Sequence, residues 1–441
     1  MPDLPKKSDS SKNDVHQSVW LSSMGVALEY YDFIIYGLLL PFMMPLFFDE
    51  TNSMAILLKG FSVFALGYIA RPLGGILFGQ LADRKGRKIA FTSAMLVMAC
   101  ATALIGLLPT FNNIGVLSTW LLILCRLAQG ISYGAEMPGA ITLISETLIK
   151  TNQTKIHHSK QGLYCGIVMS SATLGALMAT AMLSLLMWAL TKEDFSTFGW
   201  RIPFIFGGSL AFISCYLRQS LNETNDFKEV SNQQRNKHIW QPLTELMRNH
   251  FTNILLGIGI TLYPAALVIT NIYFATFFAK YYPLVSKTLY NGMTIGLMCS
   301  VILVPIIGWL SGHMGRLAIY IGGGVLFIAS GLSLTDSLFD RTTVGLIQFL
   351  IIWQVFNAAS MSIVMPWLSE LFPTSVRVSG VSLCYNLAFV IGAFLPNLYT
   401  YLGVDTIESL MRVMMFIALG GMVCAILVAR LFYNKNIHDH T

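Results

Sequence analysis

Glu29 and Asp32 stand three residues apart within one apolar run, and Tyr36 follows four beyond Asp32. Helical spacing puts these side chains on one face. A second apolar run carries Arg126, Gln129, Tyr133 and Glu136, again at helical spacing, and another carries Arg71. Carboxyl groups facing an arginine away from water can hold one proton or release it. Burial favours the neutral carboxyl and the arginine favours the ionised one. The planar guanidinium fork can also hold a carboxylate through two bonds. Glu29, Asp32 and Glu136 are therefore candidate proton carriers. Arg126, Tyr36, Gln129, Tyr133 and Arg71 are candidate contacts for a small anionic ligand. The same charges could instead form permanent ion pairs that lock helices together, and Arg71 with Glu136 could be a structural or gating bridge.

The elements that would position these groups are membrane helices. Of 441 residues, 55% are hydrophobic and only 11% charged, against roughly 25% charged in soluble domains. A spanning helix needs about 20 apolar residues. Twelve segments qualify: 20–48, 55–79, 88–109, 117–148, 162–190, 201–218, 251–279, 287–311, 317–334, 343–371, 378–402 and 409–433. At about 1.5 Å of rise per residue, Asp32 and Glu29 fall near the bilayer midplane, with Arg126 at similar depth and Arg71 and Glu136 nearer one surface. Ionisable groups at such depth are costly and rare, so each is a functional candidate. The second half of the chain offers neutral groups instead, among them Asn271, Tyr273, Gln348, Gln354, Asn357, Tyr385 and Asn386. Of these, Asn271, Tyr273, Asn357, Tyr385 and Asn386 are candidate ligand contacts.

The chain repeats itself. GQLADRKGR at Gly79–Arg87 has a degenerate copy, GWLSGHMGR at Gly308–Arg316, and both join two apolar runs. Ser145-Glu146 closes the fourth segment as Ser369-Glu370 closes the tenth. Two related halves follow, 1–218 and 251–441, joined by a polar link at 219–250 in which Trp240–Asn249 could lie as a surface helix. Lys and Arg concentrate on the side of both Gly-rich turns, including Arg84, Lys85, Arg87, Lys88 and Arg316. The positive-inside rule makes that side, with both termini, cytoplasmic. The net charge of +6 thus reads as topology and not as nucleic-acid binding. Scattered intramembrane cysteines point neither to disulfides nor to metal. The lack of a P-loop excludes ATP hydrolysis, and no cofactor is expected.

The strings EYYDFIIYG (Glu29–Gly37), ARPLGGILFG (Ala70–Gly79), RLAQGISYGAE (Arg126–Glu136), GWRIPF (Gly199–Phe204), LNET with Phe227, and ELFPTSVRVSG (Glu370–Gly380) resemble the metabolite:proton symporters of the major facilitator superfamily. Tyr30 stands where that family commonly has Trp, and Pro138-Gly139 where it has a Gly-Gly pair. The resemblance implies an all-α fold of twelve spans in two pseudo-symmetric halves, no enzymatic activity, and a monomer in a bacterial inner membrane. It also implies import of a small organic acid or zwitterion with protons by alternating access. Efflux of an amphiphile by proton antiport, or a membrane sensor without flux, is the alternative. In the superfamily the Gly-rich turn resembles a latch. Here Asp83, Arg84, Arg87 and Glu146 would form it, and Arg316 with Glu370 its weaker copy, since Gly312 replaces the aspartate.

Overall fold

The computed structural model describes residues 7–50, 52–85, 87–134, 156–219, 241–282, 286–339, 342–373 and 376–438, and among these no strand occurs. Within a bilayer every backbone N–H and C=O must be paired inside its own segment, which a helix achieves. Among the described residues nine helices are long and apolar enough to cross a membrane, and three shorter apolar ones, Thr92–Leu107, Gly199–Ile213 and Arg316–Gly331, bring the spans to twelve.

The first six spans are Lys7–Phe47, Ser53–Ile69 continued by Arg71–Lys85, Arg87–Leu107, Val116–Tyr133, Ile156–Ala189 and Ile202–Gln219. The last six are Phe251–Tyr281, Ser286–Met314, Arg316–Phe339, Thr343–Leu371, Arg377–Ala393 continued by Leu395–Tyr401, and Ile407–His438. The second and eleventh spans are therefore each interrupted, at Ala70 and Phe394. Pro72 and Pro396 occupy the first turn of each restarted helix, where a missing N–H costs nothing. The first helix begins at Lys7, well before its apolar run. A helix does cover Gln241–Asn249, with Leu246 buried and its neighbours exposed. The rest of the link, 220–240, lies outside the described residues.

The halves meet chiefly along the fifth and eighth spans, with further contact between second and eleventh and between first and seventh. Lipid supplies no hydrophobic drive between helices, so close backbone approach at small residues has to hold them. At the seam between halves, a Cβ on Gly162 would lie 2.0 Å from the carbonyl oxygen of Gly308. Inside the first half, the second and fourth spans cross as closely: a Cβ on Gly130 would lie 2.0 Å from the oxygen of Gly67. Two helices cannot separate there without losing the packing that aligns Arg71 and Arg126. Gly130→Val should therefore cost at least the roughly 1–3 kcal/mol of overpacking and lower the melting temperature of the detergent-solubilised protein. An unchanged melting temperature would contradict this crossing.

Arg201 closes the end of the third span opposite the Gly-rich turns, its Nη1 donating to the oxygens of Gly106 at 2.8 Å and Leu108 at 2.7 Å. That contact satisfies carbonyls a helix leaves unpaired at its C-terminus.

Candidate functional site

A central cavity lies between the halves. Tyr30, Ile34 and Leu38 line it from the first span, Thr173 from the fifth, Asn271 from the seventh, Asn357 from the tenth and Tyr385 from the eleventh. The i, i+4, i+8 spacing of the first three explains why one face of the first span meets the cavity. Among the described residues no lining side chain is ionisable as an acid or base near neutral pH. The free volume is about 40 Å³, room for about three waters at roughly 10–15 Å³ each. The spans must part to admit a metabolite.

Asp32 faces away from this cavity. Its carboxyl packs against the sixth span, where a Cβ on Gly207 would lie 2.3 Å from Oδ1. Only 1% of Asp32 is exposed, and neither carboxyl oxygen has a hydrogen-bond partner among the described residues. The Thr102 hydroxyl stands beside it and accepts a bond from Gln129 Nε2 at 2.9 Å, which leaves its own O–H able to turn toward the carboxyl. Glu29 is buried one turn earlier in the same helix, within electrostatic reach of Tyr133.

Arg126 is fully buried, and its Nη1 donates to Gln129 Oε1 at 2.7 Å. The guanidinium lies over the rings of Tyr36 at 4.1 Å and Phe33 at 4.5 Å. Nε and Nη2 make no hydrogen bond, and no acidic side chain pairs with it among the described residues. The expectation that the carboxylates face Arg126 directly is thus corrected. Gln129 stands between them, bonding Arg126 through its oxygen and reaching the Asp32 backbone carbonyl through Nε2 at 3.5 Å. A three-residue spacing fixes that Glu29 and Asp32 share a face, but not which neighbouring span that face meets.

Arg71 sits in an aromatic cage. Its guanidinium lies 3.9 Å from the Tyr68 and Tyr133 ring centres, 4.2 Å from Phe33 and 5.9 Å from Phe389 of the other half. The phenols of Tyr30 and Tyr385, which line the cavity, are within reach of its charge. Glu136, its expected partner, lies outside the described residues. Three expected contacts are elsewhere: Tyr36 stacks on Phe64, Tyr273 packs among Phe61, Phe277 and Tyr399, and Asn386 donates to Ser382 at 3.2 Å. Gln348 faces outward. Of the expected ligand contacts, Asn271, Asn357 and Tyr385 do meet in the cavity. Thr102 and Gly207 were not singled out in the sequence, and Tyr30 only as a departure from the family's usual Trp, because a tyrosine, a threonine or a glycine in an apolar run ordinarily signals packing.

On the side of the Gly-rich turns, Arg316 and Glu370 form an ion pair. Arg316 Nη2 also donates to Gln161 Oε1 of the other half at 3.0 Å, and Gln161 Nε2 donates to Ser369 Oγ at 3.2 Å. Gln161 thereby ties the fifth span to the ninth and tenth beside the Gly162–Gly308 contact. Of the other copy, Glu146 and the side chains of Asp83, Arg84 and Arg87 lie outside what is described. On the opposite side of the membrane the halves also touch: Tyr290 donates to the Leu38 carbonyl at 3.0 Å and Asn397 to Ser62 at 3.2 Å.

Comparison with known proteins gives the family and the fold. The sequence model of the Major Facilitator Superfamily matches residues 23–396. The inner membrane metabolite transport protein YhjE of Escherichia coli K12 is 33% identical over 379 residues, 84% of each chain. The shikimate transporter of the same organism is 29% identical over 378 residues, again 84% of each. The proline/betaine transporter of Salmonella typhimurium is 26% identical over 433 residues, 93% of this chain and 83% of that one. Among solved structures, the partially occluded inward-open xylose transporter XylE of E. coli superposes with a TM-score of 0.71 at 14% identity, over 94% of this chain and 97% of that one.

Proposed function

The chain belongs to the major facilitator superfamily, and from that premise we propose that it is a proton-coupled symporter importing a small organic acid or zwitterion by alternating access. It is an integral membrane metabolite transporter and not an enzyme. The finer reading is a monomer in a bacterial inner membrane with both termini inside. The observation that carries it is Asp32, a buried carboxyl without a counter-charge among the described residues, separated from a buried arginine by one glutamine.

A buried carboxyl in a membrane span with no counter-charge among the described residues is a candidate proton carrier. Loss of that proton creates a charge one glutamine away from Arg126. The separation exceeds about 4 Å, so at an effective dielectric of about 20 the attraction is below about 4 kcal/mol. Each 1.4 kcal/mol is about tenfold in a population, so a part of that attraction would shift which conformation dominates. Gln129, bonded to both the first and fourth spans, would transmit the change. The neutral cavity then binds substrate while the charge change happens a few residues away. Relatives named for shikimate and for proline and betaine support small carboxylate-bearing substrates.

Arg126→Lys keeps the charge but loses the planar group stacked on Tyr36 and Phe33. Turnover should fall roughly tenfold with a smaller change in substrate Kd. Equal turnover in parent and variant would remove Arg126 from the mechanism. The proposal as a whole is tested in right-side-out vesicles with acid imposed outside. Substrate should accumulate inside, and collapse of the proton gradient should stop it. Efflux under the same gradient, or no flux, would reject symport.

A further inference from the structure

Asn271 and Asn357 line the cavity, and each has a buried amide oxygen with no hydrogen-bond partner among the described residues. Behind them Gln354 Nε2 is likewise unpartnered at 1% exposure, and Asn357 Nδ2 donates to Gln354 Oε1 at 3.2 Å. Burying amide groups without partners is costly. In a cavity that must open to bind its ligand, the ligand is the natural partner. The Asn271 and Asn357 oxygens can only accept and the Gln354 Nε2 can only donate, and a single group that answers both is a hydroxyl.

The cavity offers the opposite of what a quaternary ammonium needs. Such a cation carries no N–H and is held by a cage of aromatic faces. A cage of that kind does exist here, made by Phe33, Tyr68, Tyr133 and Phe389, but Arg71 fills it. The cavity itself has Tyr30 and Tyr385 on one side and the two asparagines, with aliphatic and methionine side chains, around them.

We infer that the second half of the protein selects substrates by their hydroxyl groups, so that the substrate is a hydroxylated organic acid and not a quaternary ammonium compound. This rests on the reading of the protein as an organic-acid transporter. The unpartnered amides of Asn271 and Asn357 recognise the hydroxyls, with Gln354 holding Asn357 in place.

Two acids of one skeleton separate hydroxyl recognition from carboxylate recognition: quinate, a polyhydroxylated cyclohexanecarboxylate, and cyclohexanecarboxylate itself. Calorimetric titration of the full chain in lipid nanodiscs should give quinate at least roughly tenfold tighter binding than cyclohexanecarboxylate, because a site built to bond hydroxyls penalises the analogue lacking them. Glycine betaine should not displace quinate. The double variant Asn271→Leu, Asn357→Leu, similar in size, should lose the preference, and either single variant should reduce it. The parent comparison stands if a variant does not fold. Glycine betaine or cyclohexanecarboxylate binding as tightly as quinate, no binding of quinate, or a preference unchanged by the leucines would overturn the inference. Binding needs no proton gradient. Preferential quinate binding without proton-driven uptake would therefore sink symport alone, and proton-driven uptake of glycine betaine would sink this inference alone.

Discussion

Vesicles carrying Asp32→Asn should exchange substrate across the bilayer and fail to concentrate it. The amide matches the neutral carboxyl in shape, so Gly207 still accommodates it and the cavity, which Asp32 does not line, is untouched. What is lost is the ability to release a proton. A difference of one pH unit is worth about 1.4 kcal/mol per proton and supports about tenfold accumulation in a one-proton symporter. With the electrical potential collapsed, parent vesicles should approach that ratio and Asp32→Asn vesicles should stay at about one, while counterflow of labelled substrate persists. Concentrative uptake by Asp32→Asn would mean that another group couples the proton, and Glu29, buried in the same helix, would be the next to test.

The second large effect should come from Gly162→Val. Its new side chain would push directly on the Gly308 carbonyl, 2.0 Å from the Cβ position. Backbone cannot yield as a flexible side chain can, so the fifth and eighth spans must part on the side of the Gly-rich turns. Overpacking of this kind is worth roughly 1–3 kcal/mol, which shifts the closed form toward inward-open roughly 5- to 150-fold. Ser311 gives the readout. It is 1% exposed and its hydroxyl lies 3.2 Å from the Gly162 Cβ position. In a background without the seven native cysteines, Ser311→Cys should react slowly with a water-soluble maleimide from the cytoplasmic side, and much faster once Gly162→Val is added. The same labelling rate in both would show that the seam does not gate access.

The fold was legible because the bilayer imposes a blunt rule: about 20 apolar residues per span, punctuated by charged turns. The twelve segments and the echo of Gly79–Arg87 in Gly308–Arg316 follow from that rule directly. The breaks at Ala70 and Phe394 were harder to read, since neighbouring helices can shelter a proline and its freed carbonyl; only Pro72, beside a Gly-Gly pair, hinted at one. Charged site residues stood out because charge in lipid is rare. Their partners did not, and periodicity alone could not say that Asp32 meets Gly207 and Thr102 while Gln129 intercepts Arg126. The cavity wall was least legible. Asn271 and Asn357 are visible as polar residues in lipid, yet Tyr30, Ile34 and Leu38 look like any packed face until the opposing half is in place.

Proton movement itself is the most direct test of the central claim. Substrate added to a lightly buffered, anaerobic suspension of right-side-out vesicles containing the purified protein should make the external medium transiently alkaline, as each substrate carries a proton inward, and Asp32→Asn vesicles should give no pH change. A transient acidification would identify antiport, and parent vesicles that take up substrate with no pH change would contradict proton coupling.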